Sequence, residues 1–141
     1  MSANVEHDRT FQTVLVVDDE EMVRIIMVQV LQDNGYTVLE ASDGLEALRI
    51  AKEHTGRIDL LLTDVKMPGM NGLELAARLL SNRPEMTVLY VSGHADSTRQ
   101  IQLQEGQFII EPGANFLHKP FSPDGLLQKV RHVMEHSAKP A

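Results

Sequence analysis

The sequence predicts a doubly wound α/β fold, in which a five-stranded parallel sheet lies between two layers of helices. Short runs of β-branched and aliphatic residues recur along the chain, and helical patterns lie between them. The apolar runs are continuous and do not alternate with polar residues, which is typical of strands covered on both faces. Because strand–helix units connect with right-handed crossovers, this order gives a three-layer αβα sandwich.

Five segments have the composition of buried strands. Four of them are rich in β-branched and aliphatic residues, and the fifth has a weaker pattern. Strands are therefore predicted at residues 13–17, 37–39, 58–62, 87–91 and, more weakly, 114–117.

Four helices have both an apolar stripe and a starting or ending signal. Gly35 ends the first, and Asp43 with Glu46 resembles a capping box that opens the second. Asn71 or Gly72 opens the third, and a Ser-Pro-Asp run at 122–124 opens the last. The helical spacing predicts that apolar residues 23, 26, 27, 30 and 31 of the first helix, and 45, 48 and 51 of the second, face the core.

A further helix is expected between residues 97 and 107, where the pattern is ambiguous. Ile101 and Leu103 alternate with glutamines, which suits a strand as well as a helix. A Glu-Pro-Gly turn follows at 111–113. We expect a short, mobile helix followed by an irregular loop.

Length and composition restrict the class of protein. A chain of 141 residues with 43% hydrophobic residues is the size of one domain with its own core. The absence of cysteine excludes disulfides, thiolate zinc sites and cysteine nucleophiles. We expect a domain over 12–136 between flexible tails at 1–11 and 137–141. With no signal-peptide core and no run long enough to span a membrane, we expect a cytoplasmic protein without membrane insertion.

The charge balance argues against direct binding of nucleic acid. Thirteen basic and 20 acidic side chains give a net charge of −7, whereas phosphate backbones are bound by clustered lysines and arginines. The sequence also lacks the glycine-rich loops that bind ATP or dinucleotides.

Polar side chains follow four of the five predicted strands. The first runs into the acidic stretch VLVVDDEE at 14–21, with Asp18 and Asp19 directly after the strand; Asp64, Ser92 and Lys119 follow later strands. Each residue alone has an ordinary explanation as a helix cap, a turn residue or a solvated lysine. Because the carboxyl ends of parallel strands meet at one edge of the sheet, where ligands bind, we expect them to lie together.

Three carboxylates at one edge require a counter-charge. Two like charges 4 Å apart repel by roughly 4 kcal/mol at an effective dielectric constant near 20. A single lysine cannot neutralise three acids, and carboxylate oxygens are ligands that Mg²⁺ prefers. A carboxylate, a cation, a hydroxyl and an ammonium together form a phosphoryl-transfer site, in which the carboxylate itself can be the nucleophile.

These motifs resemble the receiver domain of two-component response regulators over residues 12–136. The resemblance rests on VLVVDDEE (14–21), DGLEAL (43–48), LLTDVKMPGMNG (61–72), VSG (91–93) and FLHKPF (116–121), which occur in this order. It implies a flavodoxin-like fold with strand order 2-1-3-4-5. The stretches VSGHAD and EPGANFLHKPFSP are most similar to receivers of hybrid histidine kinases, and whether the chain is such a domain or a free regulator stays open.

The resemblance implies a phosphoacceptor and its metal ligands. Asp64 would accept a phosphoryl group from the phosphohistidine of a histidine kinase or a histidine phosphotransfer protein. Asp18, Asp19 and Asp64 would bind Mg²⁺ together with the backbone carbonyl of Lys66. Such a receiver is not an enzyme, because it assists only its own phosphorylation and dephosphorylation.

The same resemblance implies a switch. The hydroxyl of Ser92 and the ammonium of Lys119 would contact the phosphoryl group, and Phe116 would respond to movement of Ser92. The Lys119–Pro120 peptide would be cis, which costs much less before proline than elsewhere. An ordinary core position is the alternative for Phe116.

Three alternative functions share this architecture. A metal-dependent phosphatase with an aspartyl nucleophile needs a second acid two residues after Asp64, where this chain has Lys66. A flavodoxin-like FMN carrier needs a hydroxyl- and glycine-rich loop after the first strand, where this chain has carboxylates. An adaptor without phosphorylation would not need the acids.

Overall fold

The chain folds into a parallel sheet between two helical layers, as the sequence predicts. The computed structural model describes residues 12–93 and 115–135 in full, and the backbone of 100–103 and 106–109. The strands are β1 (Thr13–Val17), β2 (Thr37–Ala41), β3 (Leu60–Asp64), β4 (Thr87–Ser92), β5 (Gln100–Leu103), β6 (Gly106–Ile109) and β7 (Phe116–His118). The helices are α1 (Glu21–Asp33), α2 (Gly44–Glu53), α3 (Gly72–Asn82) and α4 (Pro123–Glu135).

The main sheet has five parallel strands in the order β2-β1-β3-β4-β7. If its strands are numbered by chain position, this is the order 2-1-3-4-5, so the predicted fold class is confirmed. The order reverses between β1 and β3, and ligands of such sheets bind at the carboxyl ends of the strands beside this point.

Strand β1 has no polar alternation because both faces of the sheet are covered. Val14 and Val16 pack into one core with α1 and α4, whereas Leu15 and Val17 pack into a second core with α2 and α3. All four side chains are fully buried. At roughly 25 cal/mol per Å² of apolar surface removed from water, these two cores supply most of the stabilisation of the domain.

Side-chain caps set the beginnings of α2 and α3. The carboxylate of Asp43 accepts a hydrogen bond from the amide of Glu46, and the side chain of Asn71 accepts one from the amide of Glu74. Both caps agree with the predicted starts. The apolar faces of α1 and α2 that pack against the core are narrower than predicted. Ile26 of α1 is 45% exposed and Leu45 of α2 is 71% exposed.

The helix predicted between 97 and 107 is wrong for the residues that the structure describes. Strands β5 and β6 form an antiparallel pair there, outside the main sheet. The alternation of glutamine with Ile101 and Leu103 has the period of two that characterises a strand, and Gly106 begins the second strand. Residues 97–99, the expected turn at 111–113 and both expected tails lie outside the described residues. Within the described residues, no helix combines the length and apolar character that crossing a bilayer requires.

Candidate functional site

Three aspartates meet at the carboxyl edge of the sheet, beside the reversal of strand order. Asp18 follows the last residue of β1, and Asp64 is the last residue of β3. Val17 pairs with Thr63 in the parallel register, so the next residue of each strand lies at the same level. Carboxylate oxygens of Asp18, Asp19 and Asp64 all lie within 4.8 Å of one another. The structure therefore brings together the acids that the sequence placed at one edge.

Lys119 directly follows the edge strand β7, and its side chain reaches this acidic cluster. Its Nζ lies 2.9 Å from a carboxylate oxygen of Glu20, 3.2 Å from Asp18 and 3.4 Å from Asp64. The backbone amide of Lys119 donates a hydrogen bond of 2.8 Å to the carbonyl of Ser92, and the peptide bond to Pro120 is cis. The ammonium of Lys119 thus contacts three carboxylates, those of Glu20, Asp18 and Asp64.

Burial raises the pKa of each of the two inner acids. Asp18 is fully buried and Asp64 is 6% exposed. Burial raises the pKa of Asp64 to about 6, and the neighbouring Asp18 carboxylate adds to the increase while Lys119 opposes it. Burial also raises the pKa of Asp18, although the Glu20 amide and Lys119 act in the opposite direction. Without a further cation, the protein holds these carboxylates at a free-energy cost.

Lys119 shows the reciprocal effect. Burial by itself would lower the pKa of its ammonium, but the hydrogen bond to Glu20 and the charges of Asp64 and Asp18 raise the pKa above its usual value. Lys119 is therefore protonated at neutral pH.

Asp19, Glu20, Asp64 and Lys119 line an open cleft of about 330 Å³. The cleft is also lined by Lys66, Ser92 and Gly93. Ser92 ends β4 and is 4% exposed, whereas Lys66 and Gly93 are exposed to solvent. A group bound between Asp64 and Lys119 would thus meet a hydroxyl, an ammonium and carboxylates.

The loop after β3 is held close to the start of α3. The hydroxyl of Thr63 donates to the carbonyl of Asp64 at 2.9 Å, and the amide of Gly72 donates to the carbonyl of Val65 at 2.8 Å. A Cβ atom on Gly72 would collide with the carbonyl oxygen of Asp64. Gly72 is therefore required for the position of Asp64, and not only for the start of α3.

Arg24 fixes the segment between β1 and α1. One of its terminal nitrogens donates to the carbonyl of Asp18 at 2.8 Å, and its Nε lies 3.8 Å from the carboxylate of Glu40. The amide of Glu20 donates to Oδ1 of Asp18 at 2.8 Å. These contacts hold the Asp18 side chain in one orientation.

Sequence reasoning missed Glu20, Arg24 and Gly72 as parts of this site. Glu20 belongs to the acidic stretch after β1, and that stretch was the available signal. The contact between Glu20 and Lys119 joins residues 99 positions apart through two flexible side chains, and no local pattern encodes such a contact.

Phe116 lies at the edge of the site. Its ring centroid is 5.6 Å from that of Tyr90, its neighbour in the β4–β7 register, with the planes tilted by 37°. It packs with Leu73 against Val65, which directly follows Asp64. Phe116 is partly buried, so it is neither a fully enclosed core residue nor a free surface side chain.

The residues fit a hard divalent cation. Three carboxylates converge, and oxygen ligands of this kind suit Mg²⁺. Oδ2 of Asp18 is buried, and among the described residues it accepts no hydrogen bond, although Lys119 Nζ lies 3.2 Å away. Because Lys119 shares its single charge with Glu20 and Asp64, a divalent cation beside this oxygen would lower the cost of its burial.

Comparison with known proteins identifies the family. The description "Response regulator receiver domain" matches residues 14–131. The chain belongs to the response regulator receiver domain family. The predicted resemblance is confirmed, and the chain is a domain of two-component signalling. Its family is a signalling family and not an enzyme family. Receiver domains bind Mg²⁺ at an acidic pocket, which agrees with the aspartate cluster of this chain.

Similar proteins include a kinase and a transcriptional regulator. The sensor kinase CckA of Brucella abortus (strain 2308) is 40% identical over 124 residues, which are 87% of this chain and 12% of CckA. The C4-dicarboxylate transport transcriptional regulatory protein DctD of Rhizobium meliloti (strain 1021) is 32% identical over 125 residues, or 87% of this chain and 25% of DctD. The chain therefore spans only a small part of these two relatives.

Two solved structures share the fold. The receiver domain of the hybrid histidine kinase CckA is 35% identical, with a TM-score of 0.65 over 86% of this chain and 98% of the other. The chemotaxis response regulator CheY4 of Vibrio cholerae is 32% identical, with a TM-score of 0.68 over 87% of this chain and 98% of the other. The predicted similarity to hybrid-kinase receivers is thus confirmed.

Proposed function

We propose that this chain is a phosphorelay receiver that accepts a phosphoryl group on Asp64 and signals to a protein partner by a conformational change. The donor is the phosphohistidine of a histidine kinase or of a histidine phosphotransfer protein. The observation that carries the proposal is the buried Asp64 carboxylate, which lies 3.4 Å from the ammonium of Lys119 inside an acidic cluster. A cytoplasmic location and a domain over residues 12–136 are parts of this proposal.

The transfer exchanges one bond to phosphorus for another. A carboxylate oxygen of Asp64 attacks the phosphorus, the P–O bond forms, and the P–N bond to histidine breaks with its electron pair left on the imidazole. Asp18, Asp19, Asp64 and the carbonyl of Lys66 are the proposed ligands of Mg²⁺. When bound, Mg²⁺ would supply positive charge opposite the phosphoryl oxygens.

The remaining site residues hold and report the phosphoryl group. Lys119 compensates its negative charge, and the Ser92 hydroxyl donates a hydrogen bond to one of its oxygens. Because Ser92 and Phe116 lie on adjacent strands beside Asp64, movement of Ser92 toward the phosphoryl group changes the packing around Phe116. This movement is the proposed signal to the partner.

A small phosphodonor tests the acceptor directly. Wild-type protein incubated with acetyl phosphate and Mg²⁺ is expected to gain one phosphoryl group by intact mass, and Asp64→Asn is expected to gain none. Asp33→Asn, which removes an exposed carboxylate at the end of α1, is the matched control and is expected to behave as wild type. An adduct on Asp64→Asn, or no adduct on wild type, contradicts the proposal. Steady hydrolysis of a phosphate ester would instead support a phosphatase.

The donor protein is proposed to dock on α1. Met22, Ile25 and Ile26 are 71%, 48% and 45% exposed, at helical spacing on one face. The first of them lies two residues after Glu20, which contacts Lys119 in the cleft. Clustered exposed apolar side chains mark interaction surfaces, and a surface here would place a donor's phosphohistidine at the cleft.

Loss of this surface is expected to separate protein donors from small donors. A panel of autophosphorylated histidine kinases is first screened for the one that transfers its phosphoryl group to wild type fastest. Ile25→Asp is expected to slow phosphoryl transfer from that kinase about tenfold or more, because central apolar contacts contribute most to binding. Phosphorylation by acetyl phosphate should stay unchanged. Leu45→Asp, which alters an even more exposed apolar residue on α2, is the control. Equal slowing by both variants, or slowing with acetyl phosphate, would show that α1 is not the docking surface.

A further inference from the structure

We propose that Glu20 is a latch on Lys119, which holds the ammonium in the resting protein and competes with the phosphoryl group for it. Glu20 is thereby a positioning residue that weakens binding of phosphoryl groups at Asp64. This inference rests on the proposed function, since it assigns Lys119 to the phosphoryl group.

The contacts of Lys119 place the latch. An ammonium has three donors; that of Lys119 donates hydrogen bonds to Glu20 and Asp64 and forms an ion pair with Asp18. The shortest distance, 2.9 Å, is to Glu20, and the distances to Asp18 and Asp64 are 3.2 and 3.4 Å. Glu20 therefore makes the shortest contact to an ammonium that a phosphoryl oxygen at Asp64 would also need.

Exposure shows which contact is exchangeable. The Glu20 side chain is 59% exposed, whereas those of Asp18 and Asp64 are 0% and 9% exposed. If released from Lys119, Glu20 is solvated by water at little cost, because exposed ion pairs contribute weakly to stability. The two buried aspartates have no such alternative. When phosphoryl oxygens arrive at Asp64, the contact to Glu20 is the one that gives way.

The latch predicts a modest and specific gain in affinity. Binding of a phosphoryl mimic must break the ion pair between Glu20 and Lys119, which costs about as much as one exposed ion pair contributes. Removal of the Glu20 carboxylate is therefore expected to tighten binding of the mimic about two- to fivefold. Glu20→Asp keeps the charge but shortens the side chain by one methylene, so it should release Lys119 as Glu20→Gln does. Glu21→Gln removes the neighbouring charge, and Glu21 makes no ion pair with Lys119.

Beryllofluoride binding at saturating Mg²⁺ tests the competition. Tighter binding by both Glu20 variants, with Glu21→Gln equal to wild type, is the expected result. If Glu20→Gln and Glu21→Gln tighten binding equally while Glu20→Asp does not, net charge is the cause and the latch is overturned. Weaker binding by Glu20→Gln overturns it as well, because Glu20 would then help to bind the ligand.

Amine labelling of the resting protein tests the latch without any phosphoryl chemistry. With an acylating reagent, both Glu20 variants are expected to label Lys119 faster relative to the exposed Lys66, and Glu21→Gln is not. An unchanged labelling ratio overturns the latch, whether or not beryllofluoride binds. Failure of wild type to bind beryllofluoride, together with faster labelling in both Glu20 variants, would instead contradict the proposed function and leave the Glu20–Lys119 latch supported.

Discussion

Replacement of Asp64 by asparagine is expected to raise the free energy of unfolding by up to about 3 kcal/mol at pH 7 without divalent cations, while it abolishes phosphorylation. Burial and the Asp18 carboxylate raise the pKa of Asp64 from 3.8 to about 6. Each pKa unit corresponds to about 1.4 kcal/mol. At pH 7 the ionised carboxylate therefore opposes folding, and the neutral amide of asparagine removes this penalty.

The sign of the pH dependence follows from the same shift. Between pH 4 and pH 6 the folded protein binds a proton at Asp64 that the unfolded chain does not, so this group makes the folded state more stable as the pH falls. The penalty is complete above about pH 6 and absent below about pH 4. The advantage of Asp64→Asn over wild type is thus expected to shrink below about pH 6 and to vanish near pH 4.

Urea unfolding of both proteins at several pH values, with and without Mg²⁺, measures this difference. Mg²⁺ is expected to stabilise wild type at pH 7 and to have much less effect on Asp64→Asn, because a cation bound to folded protein alone adds stability by mass action. Asp33→Asn should change stability by no more than about 0.5 kcal/mol. A lower stability of Asp64→Asn at pH 7, or an advantage that grows on acidification, would contradict the electrostatic account.

The sequence predicted those parts of the site that the backbone alone determines. Strand β1 has the predicted ends because an unbroken apolar run fits only where both faces of the sheet are covered. Asp18 and Asp64 converge because parallel register places the ends of neighbouring strands at one level. Their roles in phosphorylation and metal binding remain predictions that the proposed experiments test.

The parts that the sequence did not predict depend on tertiary contacts or on an ambiguous period. The side chains of Glu20 and Lys119 meet through flexible stems from opposite parts of the chain. Between residues 97 and 107 the apolar period suited both a strand and a helix, and the position of the segment in a strand–helix series favoured the wrong one. Ile26 is exposed although its spacing is that of the apolar face of α1, because the part of that face that packs against the core is narrower than the apolar spacing suggests.

Gly72→Ala is expected to destabilise the protein by about 2–3 kcal/mol and to slow phosphorylation of Asp64. The new methyl group would overlap the carbonyl oxygen of Asp64 and lie 3.1 Å from the Cα atom of Val65. Backbone atoms cannot rotate away as a side chain does, so the start of α3 or the end of β3 must shift. Because Asp64 is the last residue of β3, relief of the overlap displaces the phosphoacceptor itself.

Gly69→Ala separates a general cost of losing glycine from this specific contact. Gly69 lies in the same loop with a φ of +79°, and a Cβ there would meet nothing within 4 Å. Its alanine variant should lose about 1–2 kcal/mol from the left-handed backbone alone. Urea unfolding measures the stability of both variants, and phosphorylation by acetyl phosphate is then followed under conditions in which both are folded. Only Gly72→Ala is expected to be phosphorylated more slowly. Equal rates in the two variants would mean that the Gly72 contact supports the fold without positioning Asp64, because the strain would then be absorbed in α3.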